Sequence, residues 1–509
     1  MTEPIKSNKR IAKNAMMLYI RMLLTMAVSL YTSRVVLDVL GVEDYGTYSI
    51  VGAIVAMLGF LNNTMSGATS RFMAFEMGRG DEKRLADTFS SALIVHYGIA
   101  IIVFVIAETV GLWFLVNKLV IPEGRMTAAH WVYQMSIASA MLSITQVPYN
   151  ATIIAHEKMD IYAYVEILSV VLNLLIVYLL TIGNFDKLIL YAALVLMVGI
   201  IIRMTYRVYC LRHYPESRFR WVRDKSIMKP LLGFSGWNLY GNLGVMFQRH
   251  GTNFVINFFY GVTMNAALGI GLTVANAANQ FASNVMTAFR PQIIKLYSQD
   301  EVDEMRRLTI LAIKVIMFIY SMVAVPVFLE TDNLLNIWLV EPPAYAAVIC
   351  RIFLINIFFE VIRYIIIIDI HASGNVKLIS LFAGTLFILI PFITYVLYAM
   401  GARVEAAFVI LIFANVILMA VNVWLIEYYI RIDVKHYYLA IVNVTAMSAL
   451  ALMAALYIKH QLALDGNWHI ITNTAISIAI VSLLYFLFCF DRSQRLFAVN
   501  FIKTKLHLK

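Results

Sequence analysis

The sequence predicts an all-α polytopic membrane protein of about 14 transmembrane helices, built as two pseudo-symmetric six-helix lobes with two further helices at the C-terminus. Three observations carry that expectation. Hydrophobic residues make up 61% of the 509-residue chain and charged residues only 14%, with a mean hydropathy of +0.79, far outside the soluble range. Apolar runs of about 20 residues or more, the length that crosses a bilayer, recur along the whole chain. The two halves also resemble each other at an offset of 220 residues, Gly41 matching Gly261 and Arg71 falling within one residue of Arg290.

In order, the expected spans are 11–38, 45–70, 88–116, 127–154, 161–183, 187–209, 230–258, 263–289, 307–329, 345–370, 377–400, 404–428, 437–458 and 470–490. The first is too long for a signal-peptide core and lacks a small-residue cleavage site, so it reads as a retained span. Spans 1 to 6 form a first lobe (1–211), a basic connection follows (212–229), spans 7 to 12 form a second lobe (230–435), and spans 13 and 14 with a basic tail (436–509) fall outside the repeat as an appendage. With the N-terminus in the cytoplasm, and Lys and Arg in the end turns of a span counted with the adjoining connection, the inner side receives four at the start of span 1, four after span 2, one after span 4, eight after span 6, four after span 8, one after span 10, two after span 12 and five at the end, 29 in all. The outer side receives Lys118, Arg125, Lys187, Arg403 and Lys459. That asymmetry puts both termini in the cytoplasm. The net charge of +10 therefore belongs to a membrane face and not to a nucleic-acid surface. The longest inner connection, with RHYPESRFRWVRDKSIMK, suits anionic headgroups.

The stretch 229–296 reads as two spans joined at Gly261, yet it is rich in amides. In its first helix Asn238, Asn242, Arg249, Asn253 and Asn257 fall on one face, and Asn276, Gln280, Ser283 and Thr287 repeat the pattern in the second. Polar groups are costly against lipid tails, so both stripes are expected to line a polar chamber. Removing 29 and 5 from the 40 Lys and Arg leaves six inside spans: Arg21, Arg34, Arg249, Lys314, Arg351 and Arg363. All six are candidate cavity cations. Arg34 and Arg351, near outer ends, could equally snorkel, and Arg363 could pair with Glu360 one turn earlier. Glu360 and Asp38 are the candidate carboxylates for coupling to H+ or Na+; no bound cofactor is expected. His96, His130 and His250 read as packing residues ahead of proton carriers. Cys210, Cys350 and Cys489 have no metal-ligand spacing and read as packing residues. No phosphate-cradling GxxxxGK[ST] segment is present.

The motifs LGVEDYGTYSIV at the first outer turn, FSGWNLYGNLG opening span 7 and FRPQIIKL closing span 8 resemble the polysaccharide-transporter branch of the multidrug/oligosaccharidyl-lipid/polysaccharide exporters, which includes Wzx-type O-antigen flippases. The likeness extends to about residue 430 and is weak for substrate. It implies two six-helix lobes, a cationic central cavity, and transfer of an undecaprenyl-pyrophosphate-linked oligosaccharide across the bacterial cytoplasmic membrane, with lipid, that substrate and other polysaccharide-assembly proteins as partners. One departure matters. Drug-exporting relatives carry a coupling carboxylate within span 1, whereas here Arg21 is central and Asp38 lies at the end, which counts against a cationic drug.

The alternatives are a cation-coupled multidrug exporter, a lipid II flippase and, remotely, a glycan polymerase or ligase. An enzyme of that kind is expected to present a large outer loop, but the longest one, about 330–344, is short, acidic and free of His and Arg. No enzymatic activity is expected.

Overall fold

Apolar runs without water to satisfy their peptide groups must bond internally, and the chain does so as helices throughout. The structure, a computed structural model, describes scattered positions between Met16 and Val51 and then the chain from Phe60 to Leu496, apart from 118–120, 122–123, 181–184, 223, 340–341 and 463–467; at a few helical positions only the backbone is described. The helices are α1 (Phe60–Arg79), α2 (Glu82–Ile106), which continues through a π-turn (Ala107–Gly111) into α3 (Leu112–Asn117), α4 (Met126–Ala155), α5 (Met159–Leu179), α6 (Lys187–His213), α7 (Lys225–Ser298), α8 (Val302–Leu329), the short α9 (Thr331–Trp338), α10 (Ala346–Ser373), α11 (Lys377–Ala399), α12 (Ala406–Ile430), α13 (Lys435–Leu462) and α14 (His469–Leu484). Among the described residues there is no strand, and eight helices are long and apolar enough to cross a membrane. α10 is excluded from those eight by Arg351, Glu360, Arg363 and Asp369.

The repeat is visible in where helices begin. Adding 220 to the first residues of α2 and α4, 82 and 126, gives 302 and 346, the first residues of α8 and α10. α5 and α6 start at 159 and 187, and their counterparts α11 and α12 at 377 and 406, within two residues of the same offset. The turn before the first pair is duplicated too: Gly80 (φ 72°) and Asp300 (φ 59°) both occupy the left-handed region, which glycine enters freely and aspartate tolerates.

The chain forms two units. Unit 1 contains residues 1–239 and 294–299, and unit 2 contains 240–293 and 300–509. α7 therefore leaves unit 1 and returns to it. Its helical backbone runs unbroken through 261, where a joint was expected, because a lone glycine costs only about 1 kcal/mol in a helix and does not stop one. It nevertheless doubles back: Phe234 lies 5.8 Å from the Arg71 guanidinium and Tyr297 interacts with the same group. Straight, 63 helical residues would separate them by about 95 Å.

Unit 1 is organised around α4, which packs on α1, α2 and α6. Its core includes Val51, Leu115, Val132, Tyr133 and Leu188, and the Tyr133 hydroxyl donates 2.7 Å to the Ala107 carbonyl, fixing the π-turn. At one end Arg125 clamps two loops, bonding Asp44 (2.5 Å) and Asp186 (2.7 Å). At the other, Lys295 donates 3.1 Å to Glu157 and His156 meets Glu216 at 2.6 Å. Loops expected outside thus cluster at one end and loops expected inside at the other.

In unit 2, α10 packs on α12 and α8, and α8 on its other flank packs against α13 and α14. The last two helices, expected as an appendage, are bonded into the unit. Asp369 of α10 accepts from Thr309 of α8 (2.7 Å) and from Tyr437 of α13 (2.5 Å), while Ser321, Ser448 and Tyr485 share hydroxyl bonds. At the opposite end Glu330, 1% exposed, pairs with Lys459 at 2.9 Å and accepts from Asn333 and Asn473.

Candidate functional site

The first arm of α7 presents three different faces. Gly241, Gly244 and Gly251 share one helical face and seat the arm on α11. There the backbones approach so closely that a Cβ on Gly244 would lie 2.6 Å from the Gly384 backbone, and one on Gly251 2.8 Å from the Pro391 ring. Phe247, Phe254 and Phe258 form an exposed apolar face, with Phe247 and Phe258 reaching Phe392 and Tyr395 of α11. The polar stripe points elsewhere. Asn242, Arg249 and Asn253 are exposed, Asn238 is half-buried, and nothing is described of the Asn257 side chain.

The returning arm behaves alike. Ala275, Ala278 and Ala282 are buried, whereas Asn276 and Gln280 are exposed and Ser283 and Thr287 half-buried. The two amide stripes found by spacing are thus the uncovered faces of both arms.

α10 supplies the second wall. Tyr364 of α10 interacts electrostatically with Glu360 and Arg363 of its own helix and with Arg249 of α7. Arg249 has no Asp or Glu oxygen within 4.0 Å among the described residues, and neither has Glu360 an ion-pair partner there. An exposed guanidinium in mid-helix, without an ion-pair partner among the described residues, can bind an anion, and a half-buried carboxylate such as Glu360 can hold a proton or cation.

The other candidates are placed differently. Arg363 is 3% exposed. Its Nε donates 3.0 Å to Asn415, which donates 2.9 Å to Asn356, and its guanidinium lies 4.6 Å from the Tyr364 ring centre and 5.4 Å from that of Phe387. It makes no ion pair with Glu360; it ties α10 to α12 and supports Tyr364. Lys314 donates 3.1 Å to Asp491 and tethers the chain beyond α14. Arg351 bonds Asp332 and the Phe328 carbonyl, closing α9 onto α10. Each of these three has a protein acceptor, a carboxylate for Lys314 and Arg351 and the neutral Asn415 amide for Arg363, and a group so engaged has less left for a ligand. Arg21, Arg34 and Asp38 lie outside the described residues, as does Gly41. His96 is fully buried with Nδ1 2.7 Å from the Ala92 carbonyl, a packing position; His130 is half-buried and His250 exposed. All three cysteines are buried and unpaired by disulfides. No cluster of three or more metal-ligating side chains occurs among the described residues. Tyr364 and Asn415 were missed by sequence reasoning: one tyrosine among 28 carries no signal, and Asn415 stands out only as the first of two amides, with Asn422, seven residues apart in an apolar helix.

The fold and these walls define a class: an all-α polytopic membrane protein with the fold of the MATE transporters. No protein-family model and no curated protein matches the chain. Solved structures do. A MATE transporter in a bent conformation superposes with a TM-score of 0.70 at 13% identity over 87% of this chain and 97% of that one. A MATE transporter from Vibrio cholerae gives 0.66 at 15% identity, over 86% and 100%. A MOP-superfamily transporter from Pyrococcus furiosus, whose binding pocket has reversed polarity suggesting a different function, gives 0.65 at 12% identity, over 81% and 94%.

Proposed function

We propose that the chain is an exporter of the bacterial inner membrane working by alternating access, with both termini cytoplasmic, and that its cavity receives the headgroup of an undecaprenyl-pyrophosphate-linked oligosaccharide, such as an O-antigen or capsule repeat unit. The observation that carries this reading is Arg249, exposed and without an ion-pair partner among the described residues, within the first of two uncovered amide stripes. Such groups are costly against lipid tails and belong in water, so the faces that bear them line an aqueous chamber. Arg249 offers pyrophosphate two parallel donors, while Asn242, Asn253, Asn276 and Gln280 suit glycan hydroxyls; the polyprenyl tail stays in lipid. Arg21 and Arg34 would add charge from span 1. Glu360, or Asp38, is the group proposed for coupling to H+ or Na+. The reversed pocket polarity of the Pyrococcus furiosus transporter supports a pocket charge that differs within one fold.

A cation-coupled multidrug exporter is the second reading, supported by the multidrug-resistance MATE transporter among the similar structures. Arg249→Ala separates the two. Under the first reading, transport falls by about ten- to a hundredfold, the worth of a charge-assisted hydrogen bond, lipid-linked glycan accumulates on the cytoplasmic face, protein abundance is unchanged, and Arg249→Lys restores transport in part. Full glycan transport in Arg249→Ala, with loss only in Glu360→Gln, would overturn it in favour of the second.

A further inference from the structure

The segment joining α6 to α7 is built as a rigid bracket. Tyr214 stacks on His156 (4.0 Å between ring centres, 13° apart), Glu216 meets the same imidazole at 2.6 Å, Ser217 is buried, and the Arg220 amide donates 3.1 Å to Ser90. Burial alone would raise the Glu216 carboxyl; its bond to His156 more than offsets this and holds it below the usual glutamate range, charged at neutral pH. What the bracket presents is unexpected for a loop in water. Phe219 is 52% exposed and Trp221 77%, their rings edge to face at 6.4 Å, and the interleaved Arg218 and Arg220 are also exposed.

The position of this loop follows from the length of α6. Its 27 residues rise about 40 Å, against about 30 Å of hydrocarbon. A helix whose start is held at Asp186 by Arg125 therefore ends in the opposite headgroup layer, and the loop begins at the next residue. Aromatic rings favour that layer, and arginines favour phosphate there.

We infer that 218–221 is a binding site for anionic phospholipid headgroups of the membrane leaflet on that side, with Phe219 and Trp221 inserted among the lipids and Arg218 and Arg220 on the phosphates. Rigid support makes the site cheap to use, since the loop is already ordered before lipid arrives. The inference is independent of what the cavity carries.

The test uses the full chain in nanodiscs of phosphatidylcholine with or without phosphatidylglycerol, the acyl chains brominated. The Trp221 signal is the fluorescence difference between the chain and its Trp221→Phe variant. Bromolipid should quench that signal, and native mass spectrometry in detergent should show phosphatidylglycerol retained over phosphatidylcholine. Arg218→Gln with Arg220→Gln should weaken phosphatidylglycerol retention about thirtyfold. A Trp221 signal untouched by bromolipid but quenched by aqueous iodide would overturn the inference and make the loop a docking surface for a soluble partner. Equal retention of both lipids would overturn the headgroup assignment.

Discussion

Gly244→Ala tests the seat that aims Arg249. The new methyl would lie 2.6 Å from the Gly384 Cα and carbonyl oxygen, and 3.0 Å from its carbonyl carbon. Carbon atoms of neighbouring helices rest at about 3.5–4.0 Å, so α7 and α11 must part by roughly 1 Å. The obstacle is backbone, which cannot rotate aside as a side chain does. Overpacking of this kind costs about 1–3 kcal/mol. The same displacement shifts Arg249, five residues further along the arm, and a shift of about 1 Å can cost as much as a hundredfold in a positioned site. Fluorescence-detected size exclusion after graded heating should show a lowered melting temperature, and glycan transport should fall further than stability accounts for. Gly236→Ala on the same helix, where a Cβ meets nothing within 4 Å, is the control and should change neither. If Gly244→Ala melts and transports like the parent chain, the arm is not seated on α11 as described, and the case for Arg249 as a fixed ligand fails with it.

Two further outcomes are expected. Lys459→Met should destabilise more than Glu330→Gln, because it takes the counter-ion from a carboxylate only 1% exposed, whereas the Lys459 side chain, 33% exposed, can turn to water; leaving a buried charge uncompensated costs about 3–5 kcal/mol. The reverse order in a melting comparison would refute that account. The Arg125 clamp gives a pH signature. Hydrogen bonding to Asp186 holds the guanidinium charged. Burial would raise Asp186, but its bonds to Arg125 and to the Leu188 and Ile189 amides outweigh this and set its carboxyl below the usual aspartate range. A depressed acid stabilises fully above its unfolded pKa, about 3.9, and loses that contribution as the pH falls through the folded value. The melting temperature should therefore be flat from neutrality to about pH 4.5 with respect to this clamp and fall below that. Asp186→Asn should lower the plateau and flatten the acid limb; an acid limb as steep as the parent's would place the titration elsewhere.

Much of the fold could be read from the sequence because its determinants are local. Hydropathy and the counting of Lys and Arg depend on runs of neighbours, and the 220-residue offset needs only glycines, amides and an arginine in register. The stripes of α7 were legible for the same reason: helical spacing alone separates Asn242, Arg249 and Asn253 from Gly241, Gly244 and Gly251. The fate of a single cation was not legible, since it depends on a partner that only the fold supplies. Arg351 found Asp332, 19 residues away, Arg363 found Asn415 at 52, and Lys314 found Asp491 at 177. Nothing in the order of residues distinguishes these from Arg249, which found none among the described residues. The joint at Gly261 was legible only in part: the chain does double back between Phe234 and Tyr297, but residue 261 itself lies in helical backbone.

The return of residues 294–299 to unit 1 imposes an order on biosynthesis. Glu157 is all but enclosed, and its ammonium partner Lys295 is encoded 138 residues later. At about 5–20 residues per second, the ribosome adds Lys295 roughly 7 to 28 s after Glu157. During that interval Glu157 lacks the ammonium of Lys295, so this end of the unit is completed only after α7 has been made. The clamp of Arg125 with Asp44 and Asp186 needs nothing beyond residue 186 and can set early. The end of unit 1 held by Arg125 can thus form first and the end closed by Lys295 last, with the whole hairpin of α7 threaded in between. Genetic dissection should respect that sequence: a first half ending at 229 lacks the residue that completes it, whereas one ending after 299 does not.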